Sequence, residues 1–373
     1  MSFSESGSTR TEAHLQGRPG PAQSRRAIGG ELELGVPSLA PSEGLADLTK
    51  GLTGTWTLSG RAALAVTLNQ LRTAGVRHMH LPAYLCESIL QPVRALGLDY
   101  SFYPVTPDLT AQPDPPAGAA VVLIHYFGWI NPATAALRAE AGRSFYLIED
   151  ASQALLSDWA APPQVSRFLF FSPRKFAPVP LGGWCSVRTQ VRDPSHEVQA
   201  MAWRSLAARL CRGAYLAEPE APVDQAVESF YLSAFASVDS YLDDHPIDAP
   251  IPKIALDLIG AVDWHHAAER RRANWQQLHD MLGGHIETLN RDLPSNVVPL
   301  GYVVRLRDRD EVRARLAGQR IFCPVHWPLP DAVDPQRFPE AAQLSDTTLT
   351  LPIDQRYGPD DMTRLAETVK SAL

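Results

Sequence analysis

The chain contains little cysteine, and its cysteines form no recognisable motif. Four occur without any C-x-x-C pair: Cys86, Cys185, Cys211 and Cys323. Such scattering predicts neither a zinc site nor a disulfide framework, and it favours free thiols in a reducing compartment. The adjacent pair His265 and His266 is a poor metal site, because neighbouring residues on a helix diverge in direction. We therefore predict no metal.

Long apolar runs are absent as well. No stretch of about eighteen or more uncharged apolar residues occurs, so the sequence offers no candidate for a membrane-spanning helix. The N-terminus also lacks the basic-then-apolar pattern of a signal peptide. Together with the free thiols, these absences predict a cytoplasmic protein without a membrane partner.

A surplus of positive charge is missing too. The 373 residues include 41 acidic and 34 basic side chains, for a formal charge of −7. This balance argues against a nucleic-acid partner, and the basic cluster at residues 270–272 is predicted to be a solvated helix face. Apolar residues, by contrast, make up 45% of the chain, which is enough for a large core and for two domains.

The order of sequence patterns predicts the domain organisation. Residues 1–28 are rich in Ser, Gly, Arg, Gln and Pro and are predicted to be a disordered tail. Strand and helix patterns then alternate, which predicts an α/β fold with a mostly parallel central sheet flanked by helices. We place this large domain at residues 29–245. Residues 246–373 are predicted to form a long connecting helix and a small C-terminal α+β domain.

Individual elements follow from hydrophobic periodicity. Helices are predicted at residues 60–71, 88–95, 131–141, 196–216, 223–242, 253–282, 309–316 and 359–373. Strands are predicted at residues 79–81, 100–103, 119–125, 144–149, 168–171, 297–306 and 349–351. Ser59 is placed to cap the first of these helices. Functional loops are expected at the C-terminal ends of the parallel strands.

Two polar side chains lie just after the C-terminal ends of two successive predicted strands. Asp150 comes directly after one apolar strand, and Lys175 follows the next, just before the pair Gly182 and Gly183. Pyridoxal phosphate (PLP) needs a carboxylate that keeps its pyridine nitrogen protonated and a lysine that holds its aldehyde as a Schiff base. Alternatively, Asp150 caps a following helix and Lys175 is an ordinary loop lysine.

A wider set of motifs resembles one family. Its pieces, in order, are residues 58–64, 81–84, 124–128, 148–154 and 171–175 with the glycine pair, and more weakly residues 321–328 and 351–356. With these segments the chain resembles the DegT/DnrJ/StrS-type PLP-dependent aminotransferases, which have the aspartate aminotransferase fold (fold type I). Members are best known for aminating keto-sugars.

The resemblance implies roles for individual residues. Ser59, Gly60 and Arg61 correspond to the segment at a helix start that holds the cofactor phosphate, although the family usually has threonine where Arg61 stands. Gln153 corresponds to the contact with the cofactor's 3-hydroxyl group, and Ser172 to a hydroxyl that contacts the phosphate. Without the resemblance, Ser59 reads as a simple helix cap and Ser172 as a turn serine.

Lys175 and Asp150 would then be the catalytic residues. The resemblance implies that Lys175 first holds the cofactor and later moves a proton between the substrate carbon and the cofactor. Asp150 would pair with the pyridine nitrogen. Some relatives have histidine at the lysine position and carry out dehydration, so a lysine here favours amino transfer.

Departures from the family pattern concern the cofactor ring and the dimer. Where an aromatic residue usually covers the ring, this chain has Cys86, so either Cys86 takes that place or Tyr84 reaches in; both could equally be packing residues. The segment before the long helix that reaches the partner subunit's phosphate is missing. A homodimer is still expected, because fold relatives build each active site from two subunits.

Candidate substrate contacts are His125 and Tyr126 at a strand end and His326 in a Pro-bounded loop. A histidine in such a place is otherwise a structural hydrogen-bonding group. Trp129 and Trp327 are open between substrate contact and packing.

The leading hypothesis is a PLP-dependent aminotransferase. It would move an amino group from an amino-acid donor such as glutamate to a keto or aldehyde acceptor, which the resemblance suggests is a nucleotide-linked keto-sugar. One alternative keeps the cofactor and changes the reaction to decarboxylation, elimination, epimerisation or cyclisation. Another is a non-catalytic regulatory protein that retains the fold.

Overall fold

The computed structural model describes residues 25–35, 44–159, 167–190, 192–247 and 250–373. Residues 1–24, most of the tail predicted to be disordered, lie outside these ranges. The described segment that follows is held in place: Ile28 is fully buried and pairs with Ile321. Within the described ranges, no helix is long and apolar enough to cross a membrane.

The strands in the described ranges are β1 (Ile28–Gly29), β2 (Thr55–Thr57), β3 (His78–Pro82), β4 (Asp99–Tyr103), β5 (Ala120–Ile124), β6 (Tyr146–Asp150), β7 (Arg167–Phe171), β8 (Gly183–Cys185), β9 (Glu287–Thr288), β10 (Tyr302–Arg305), β11 (Ile321–Phe322) and β12 (Thr348–Leu351). The α-helices are α1 (Gly44–Thr49), α2 (Gly60–Thr73), α3 (Glu87–Ala95), α4 (Thr134–Glu140), α5 (His196–Leu216), α6 (Gln225–Asp244), α7 (Lys253–Ala261), α8 (Trp264–Leu282), α9 (Arg309–Gly318), α10 (Pro339–Thr347) and α11 (Pro359–Ala372).

A seven-stranded sheet forms the centre of the fold, in the order β2-β8-β7-β6-β5-β3-β4. The run from β7 to β4 is parallel, and β8 pairs antiparallel with both of its neighbours. The strand β5 is buried at every position, as expected for a parallel strand covered on both faces. The predicted α/β fold with a mostly parallel central sheet is confirmed.

The sheet register brings the predicted functional positions to one edge. Ile124 pairs with Asp150, and Asp150 pairs with Phe170. The loops after β5, β6 and β7 therefore leave the sheet side by side. A single turn of 3-10 helix, Pro173–Lys175, follows β7 directly, so the lysine stays close to the strand end.

The predicted long helix at residues 253–282 is wrong, because the chain forms two helices there. Val262 has extended backbone between α7 and α8. Asp263 then caps α8, with its Oδ1 accepting a hydrogen bond of 2.8 Å from the amide of His266. A capping aspartate competes with continuous helix, because its side chain replaces the carbonyl acceptor of the preceding turn.

Other differences concern the length of elements and a charged surface. The strand predicted at residues 297–306 is reduced to β10, since Pro299 cannot donate to a ladder. The residues after Asp150 form turns rather than a helix. The basic cluster at residues 270–272 is not a fully solvated face: Arg271 is 1% exposed and donates a 2.8 Å hydrogen bond to the carbonyl of Leu300.

A second, smaller sheet of three antiparallel strands, in the order β12-β10-β9, lies in the C-terminal part of the chain. Its core includes Leu349, Leu351, Trp275 and Met362, which come from β12, α8 and α11. The N-terminal strand β1 pairs in parallel with β11. The first described residues thus join the C-terminal part of the protein.

A buried ion-pair network connects β6 of the central sheet with α4. Glu149 on β6 accepts two hydrogen bonds of 2.8 Å from Arg138 of α4, and it lies 3.0 Å from His125 Nε2. Burial opposes ionisation of Glu149, but the hydrogen bonds from His125 and Arg138 outweigh burial and hold its pKa below the ordinary value.

We predict that Glu149→Gln lowers the free energy of unfolding by about 3 kcal/mol at pH 7, because the Arg138 charge loses its buried partner. The pKa of Glu149 is lower in the folded state, so the stabilisation is present above its ordinary value of 4.5 and is lost as the pH falls through the folded pKa. The difference from wild type should shrink accordingly in acid. Urea unfolding at several pH values measures it.

Glu140→Gln is the matched control, since Glu140 is exposed on the same helix as Arg138. We expect it to change stability by less than about 0.5 kcal/mol. A Glu149→Gln effect equally small would contradict the role assigned to the network.

Candidate functional site

A cavity of about 1140 Å³ lies at the C-terminal edge of the parallel strands. Its wall includes the start of α2, the ends of β6 and β7, the N-terminal segment and the loop that precedes α10. The predicted site residues that line it are Ser59, Gly60, Arg61, Cys86, Asp150, Ser172, Lys175 and His326. The sheet edge therefore gathers most of the predicted set around one space.

Asp150 and Lys175 face this cavity from neighbouring strands. Asp150 is 6% exposed, and its Oδ1 accepts a 2.8 Å hydrogen bond from the amide of Ser152. In the described part of the chain we find no hydrogen-bond partner for its second oxygen. Lys175 has neither an ion pair nor a hydrogen bond there, and its Nζ lies 5.8 Å from the centre of the Trp327 ring. Both groups are free for a ligand.

The N-terminus of α2 forms one end of the cavity. Ser59 caps the helix, its Oγ accepting a 3.2 Å hydrogen bond from the amide of Ala62. A Cβ atom added to Gly60 would lie 3.2 Å from the Cβ of Ser172, so glycine allows the helix start and the β7 end to approach closely. The first amides of a helix lack intrahelical partners and carry partial positive charge, which suits a phosphate.

Ser172 lies where the end of β7 comes close to the start of α2. Its Oγ donates a 3.0 Å hydrogen bond to the carbonyl of Gly182. That bond links the end of β7 to Gly182, the residue directly before β8. Ser172 is partly exposed and lines the cavity.

Gln153 is placed differently from the lining residues. Its side chain is 1% exposed and is not part of the cavity wall. The amide oxygen accepts a 2.9 Å hydrogen bond from the amide of Phe127, whereas the buried Nε2 has no partner in the described chain. A buried donor without an acceptor is costly. The side chain thus keeps one unused donor, as the family resemblance implies for Gln153, although it does not line the cavity.

Arg61 lines the cavity with its charge already paired. Its guanidinium donates to Gln91 on α3 and to Asp243 on α6. Arg174, a lining residue that the sequence analysis did not select, is paired likewise, at 2.9 Å from Asp239. The predicted role of Arg61 as a phosphate contact would therefore have to compete with Asp243.

The two candidates for covering the cofactor ring lie in different surroundings. Cys86 lines the cavity just before α3. Tyr84 is 1% exposed and does not line it. The Tyr84 hydroxyl donates to the carbonyl of His326 and lies 3.1 Å from Thr348 Oγ1. Tyr84 thus fastens the loop that carries His326 rather than reaching into the cavity.

His125 and Tyr126 are buried away from the cavity wall. His125 is fully buried between Glu149 and the amide of Asn131, which donates to its Nδ1 at 3.2 Å. The Tyr126 hydroxyl donates a 2.6 Å hydrogen bond to the carbonyl of Tyr84. These contacts are those of structural groups, the alternative that the sequence had left open.

His326 is the predicted substrate contact that the fold brings to the cavity. Its Nδ1 lies 2.9 Å from Thr350 Oγ1, and its ring meets Phe127 edge-on at 5.9 Å. Burial, together with the nearby positive charge of Lys175, lowers the pKa of His326 from 6.5 to about 3. The imidazole is therefore neutral at pH 7 and can both donate and accept hydrogen bonds.

The N-terminal segment is one part of the wall that the sequence did not reveal. Gly29 to Leu32 line the cavity. Arg212 of α5 holds this segment through hydrogen bonds of 2.8 Å to the carbonyls of Gly29 and Glu31. Sequence periodicity carries no signal for such long-range side-chain to backbone contacts. The adjacent glycines 29 and 30 are a local sequence signal for a turn in this segment.

Several solved structures of similar fold are aminotransferases. A candidate sugar aminotransferase from Streptococcus pneumoniae, Spr1654 in its PLP form, matches with a TM-score of 0.63 and 14% identity over 94% of this chain and 98% of that chain. The sugar aminotransferase CalS13 from Micromonospora echinospora matches with a TM-score of 0.57 and 18% identity over 92% and 94%.

A DegT DnrJ EryC1 StrS aminotransferase from Brucella abortus matches with a TM-score of 0.59 and 14% identity over 90% of this chain and 91% of that chain. No protein-family model and no curated protein sequence matches the chain. At these identities the likeness establishes the fold, and the predicted fold class, that of the PLP-dependent transferases of type I, is confirmed.

We predict that the imidazole of His326 does not titrate between pH 5 and 8. Its folded pKa lies below its ordinary value, so its contribution to stability is present above pH 6.5 and is lost as the pH falls toward 3. Imidazole resonances in NMR spectra, assigned by their loss in His326→Asn, measure the titration. A midpoint for His326 between pH 5 and 8 would contradict the prediction.

Proposed function

We propose that the protein is a PLP-dependent aminotransferase. The observation that carries the proposal is the unpaired amine of Lys175 in the same cavity as the Asp150 carboxylate, with the start of α2 in its wall. A lysine, a carboxylate and an anion-holding helix end are the three groups that this cofactor requires. The likeness to solved aminotransferases supports the same conclusion.

The residues present fit the cofactor. Lys175 would hold its aldehyde carbon, and Asp150 would hold the proton on its pyridine nitrogen. Ser59, Gly60 and Ser172 would hold its phosphate, and the orphaned Nε2 of Gln153 would donate to its 3-hydroxyl group. When bound, the cofactor supplies an electron sink for the bonds at the substrate's amino carbon.

The protein's own part in amino transfer is proton movement and positioning. The amine of Lys175 can take a proton from the substrate's amino carbon and release it again later in the reaction, because the amine has no competing partner in the described chain. Asp150 stays fixed by the amide of Ser152. A neutral His326, held by Thr350, can orient a substrate hydroxyl or carbonyl group.

We propose a keto-sugar as the acceptor, with a nucleotide-linked sugar as the specific form. The cavity of about 1140 Å³ exceeds what the cofactor alone would fill, and ligand pockets of about 300–1,000 Å³ hold drug-sized molecules. Two of the solved structures named above are sugar aminotransferases or candidates for that activity. His326 would contact the acceptor, and an amino acid such as glutamate would be the donor.

We also propose a cytoplasmic homodimer, with residues 29–245 as the large domain and residues 246–373 as the connecting helices and small domain. Large apolar side chains are exposed on α5 and α6: Trp203 is 57% exposed, Phe230 55% and Leu232 56%. Exposed apolar groups of this size mark interaction surfaces. Sedimentation equilibrium gives the mass, and a monomer at micromolar concentration would oppose the proposal.

The proposal predicts that Lys175→Ala abolishes the visible absorbance band of the cofactor on the protein and lowers turnover by more than about a hundredfold. Borohydride treatment of the wild type should fix the cofactor to Lys175, which peptide mass spectrometry identifies. Lys253→Ala is the matched control, because Lys253 is exposed and paired with Asp257. If the wild type gains no band, or if both variants behave alike, the proposal fails.

Stoichiometric incubation with glutamate separates amino transfer from the other PLP reactions. An aminotransferase should release one equivalent of 2-oxoglutarate per loaded site without an acceptor present. Release of carbon dioxide or ammonia instead would favour decarboxylation or elimination.

A further inference from the structure

The cavity lacks an aromatic ring at the position where the sequence led us to expect one. Cys86 lines the wall there, and a thiol has no π face to stack on a pyridine ring. Tyr84, the neighbouring aromatic residue, is buried, with its hydroxyl bound to His326 and Thr348. Neither residue can cover the ring as an aromatic partner would.

Trp327 is the aromatic residue that the fold brings to the lysine. The Nζ of Lys175 lies over its ring, 5.8 Å from the centre. The carbon that this amine would hold is attached directly to the pyridine ring. Because aromatic rings stack with centres about 4.5–7 Å apart, the indole is within stacking reach of a ring attached there.

Two other aromatic residues line the cavity, but neither is placed this way. Phe170 is 3% exposed and packs into the core of the central sheet. Phe322 is on the short strand β11, which pairs with β1. Within the described ranges, Trp327 is the aromatic residue found in cation-π contact with Lys175.

The indole is held rigidly, as a stacking surface should be. Its ring packs 5.5 Å from Tyr84 and 6.2 Å from Tyr126, measured between ring centres. The carbonyl of Trp327 accepts a 2.8 Å hydrogen bond from the hydroxyl of Ser345. Only 9% of the residue is exposed, and that fraction faces the cavity it lines.

We propose that Trp327 stacks on the cofactor ring and replaces the aromatic residue that Cys86 does not provide. This inference rests on the proposed function, since it presumes that Lys175 and Asp150 hold the cofactor. The ring contact would then come from the C-terminal part of the chain. Trp327 would be a cofactor-binding residue.

The test compares how tightly the wild type and its variants bind pyridoxamine 5′-phosphate. This compound lacks the aldehyde, so its Kd reports contacts other than the bond to Lys175. We expect Trp327→Leu to raise its calorimetric Kd about tenfold and Trp327→Phe to raise it no more than about threefold. Trp129→Leu is the matched control, because Trp129 packs against Trp275 and does not line the cavity. It should bind as the wild type does.

A second-site rescue separates stacking from a general loss of structure. In the Trp327→Leu background, adding Cys86→Phe should reverse at least half of the increase in log Kd, because phenylalanine places an aromatic ring in the cavity wall. The circular dichroism induced in the visible band of bound PLP should weaken in Trp327→Leu and recover in the double variant. Far-UV circular dichroism and the unfolding midpoint report folding. If Trp327→Leu fails to fold, the induced band of Trp327→Phe decides: an altered band supports stacking.

Several outcomes would overturn the inference. One is a Trp327→Leu variant with wild-type Kd and wild-type induced dichroism; another is a folded double variant no better than Trp327→Leu alone. If Trp327→Leu does not fold, an unchanged induced band in Trp327→Phe would contradict the inference. If the wild type binds the cofactor at Lys175 but shows one of these results, only the inference fails. If the wild type binds no cofactor, the proposed function fails as well.

Discussion

The parallel register of β5, β6 and β7 is the constraint on which the site depends. Because Ile124, Asp150 and Phe170 are paired across the sheet, the loops that follow these strands start from the same edge. A carboxylate at the end of one strand and a lysine one short turn beyond the next must then share a cavity. A slip of one residue in this pairing would turn Asp150 to the opposite face of the sheet.

Ion pairs and hydrogen bonds together single out the lysine among the cations of the cavity wall. Arg61 and Arg174 line the wall, yet each is neutralised by an aspartate of α6, and Arg356 is paired with Asp354 and Glu33. Arg271 and Arg313 also line the wall, and they donate to backbone carbonyls. Lys175 has neither an ion pair nor a hydrogen bond in the described chain. Its charge acts instead on His326, whose pKa burial and Lys175 together lower to about 3. An unpaired amine therefore shares the cavity with a neutral imidazole and with the Asp150 carboxylate.

Local pattern was enough to predict part of this. The five parallel strands of the central sheet follow from hydrophobic periodicity, whereas the short strands β2 and β8 were not predicted. Asp150 and Lys175 follow from their positions after apolar strands. Periodicity could not reveal the break at Val262, where one capping side chain outweighs a continuous apolar stripe. It also could not reveal the wall formed by Gly29 to Leu32, which depends on Arg212 of α5, far along the chain.

The same limit explains why the ring contact was sought at Cys86 and Tyr84. Those residues are close in sequence to the motif at Pro82, whereas Trp327 reaches the lysine only through tertiary packing. Tyr84 connects the two: its hydroxyl binds the carbonyl of His326, and its ring packs against Trp327. An aromatic residue near the expected position thus contributes by fixing the loop that carries the indole. Because His326 and Trp327 are adjacent, the contacts that hold one in place also hold the other, so the proposed substrate contact and the proposed ring contact depend on the same tyrosine.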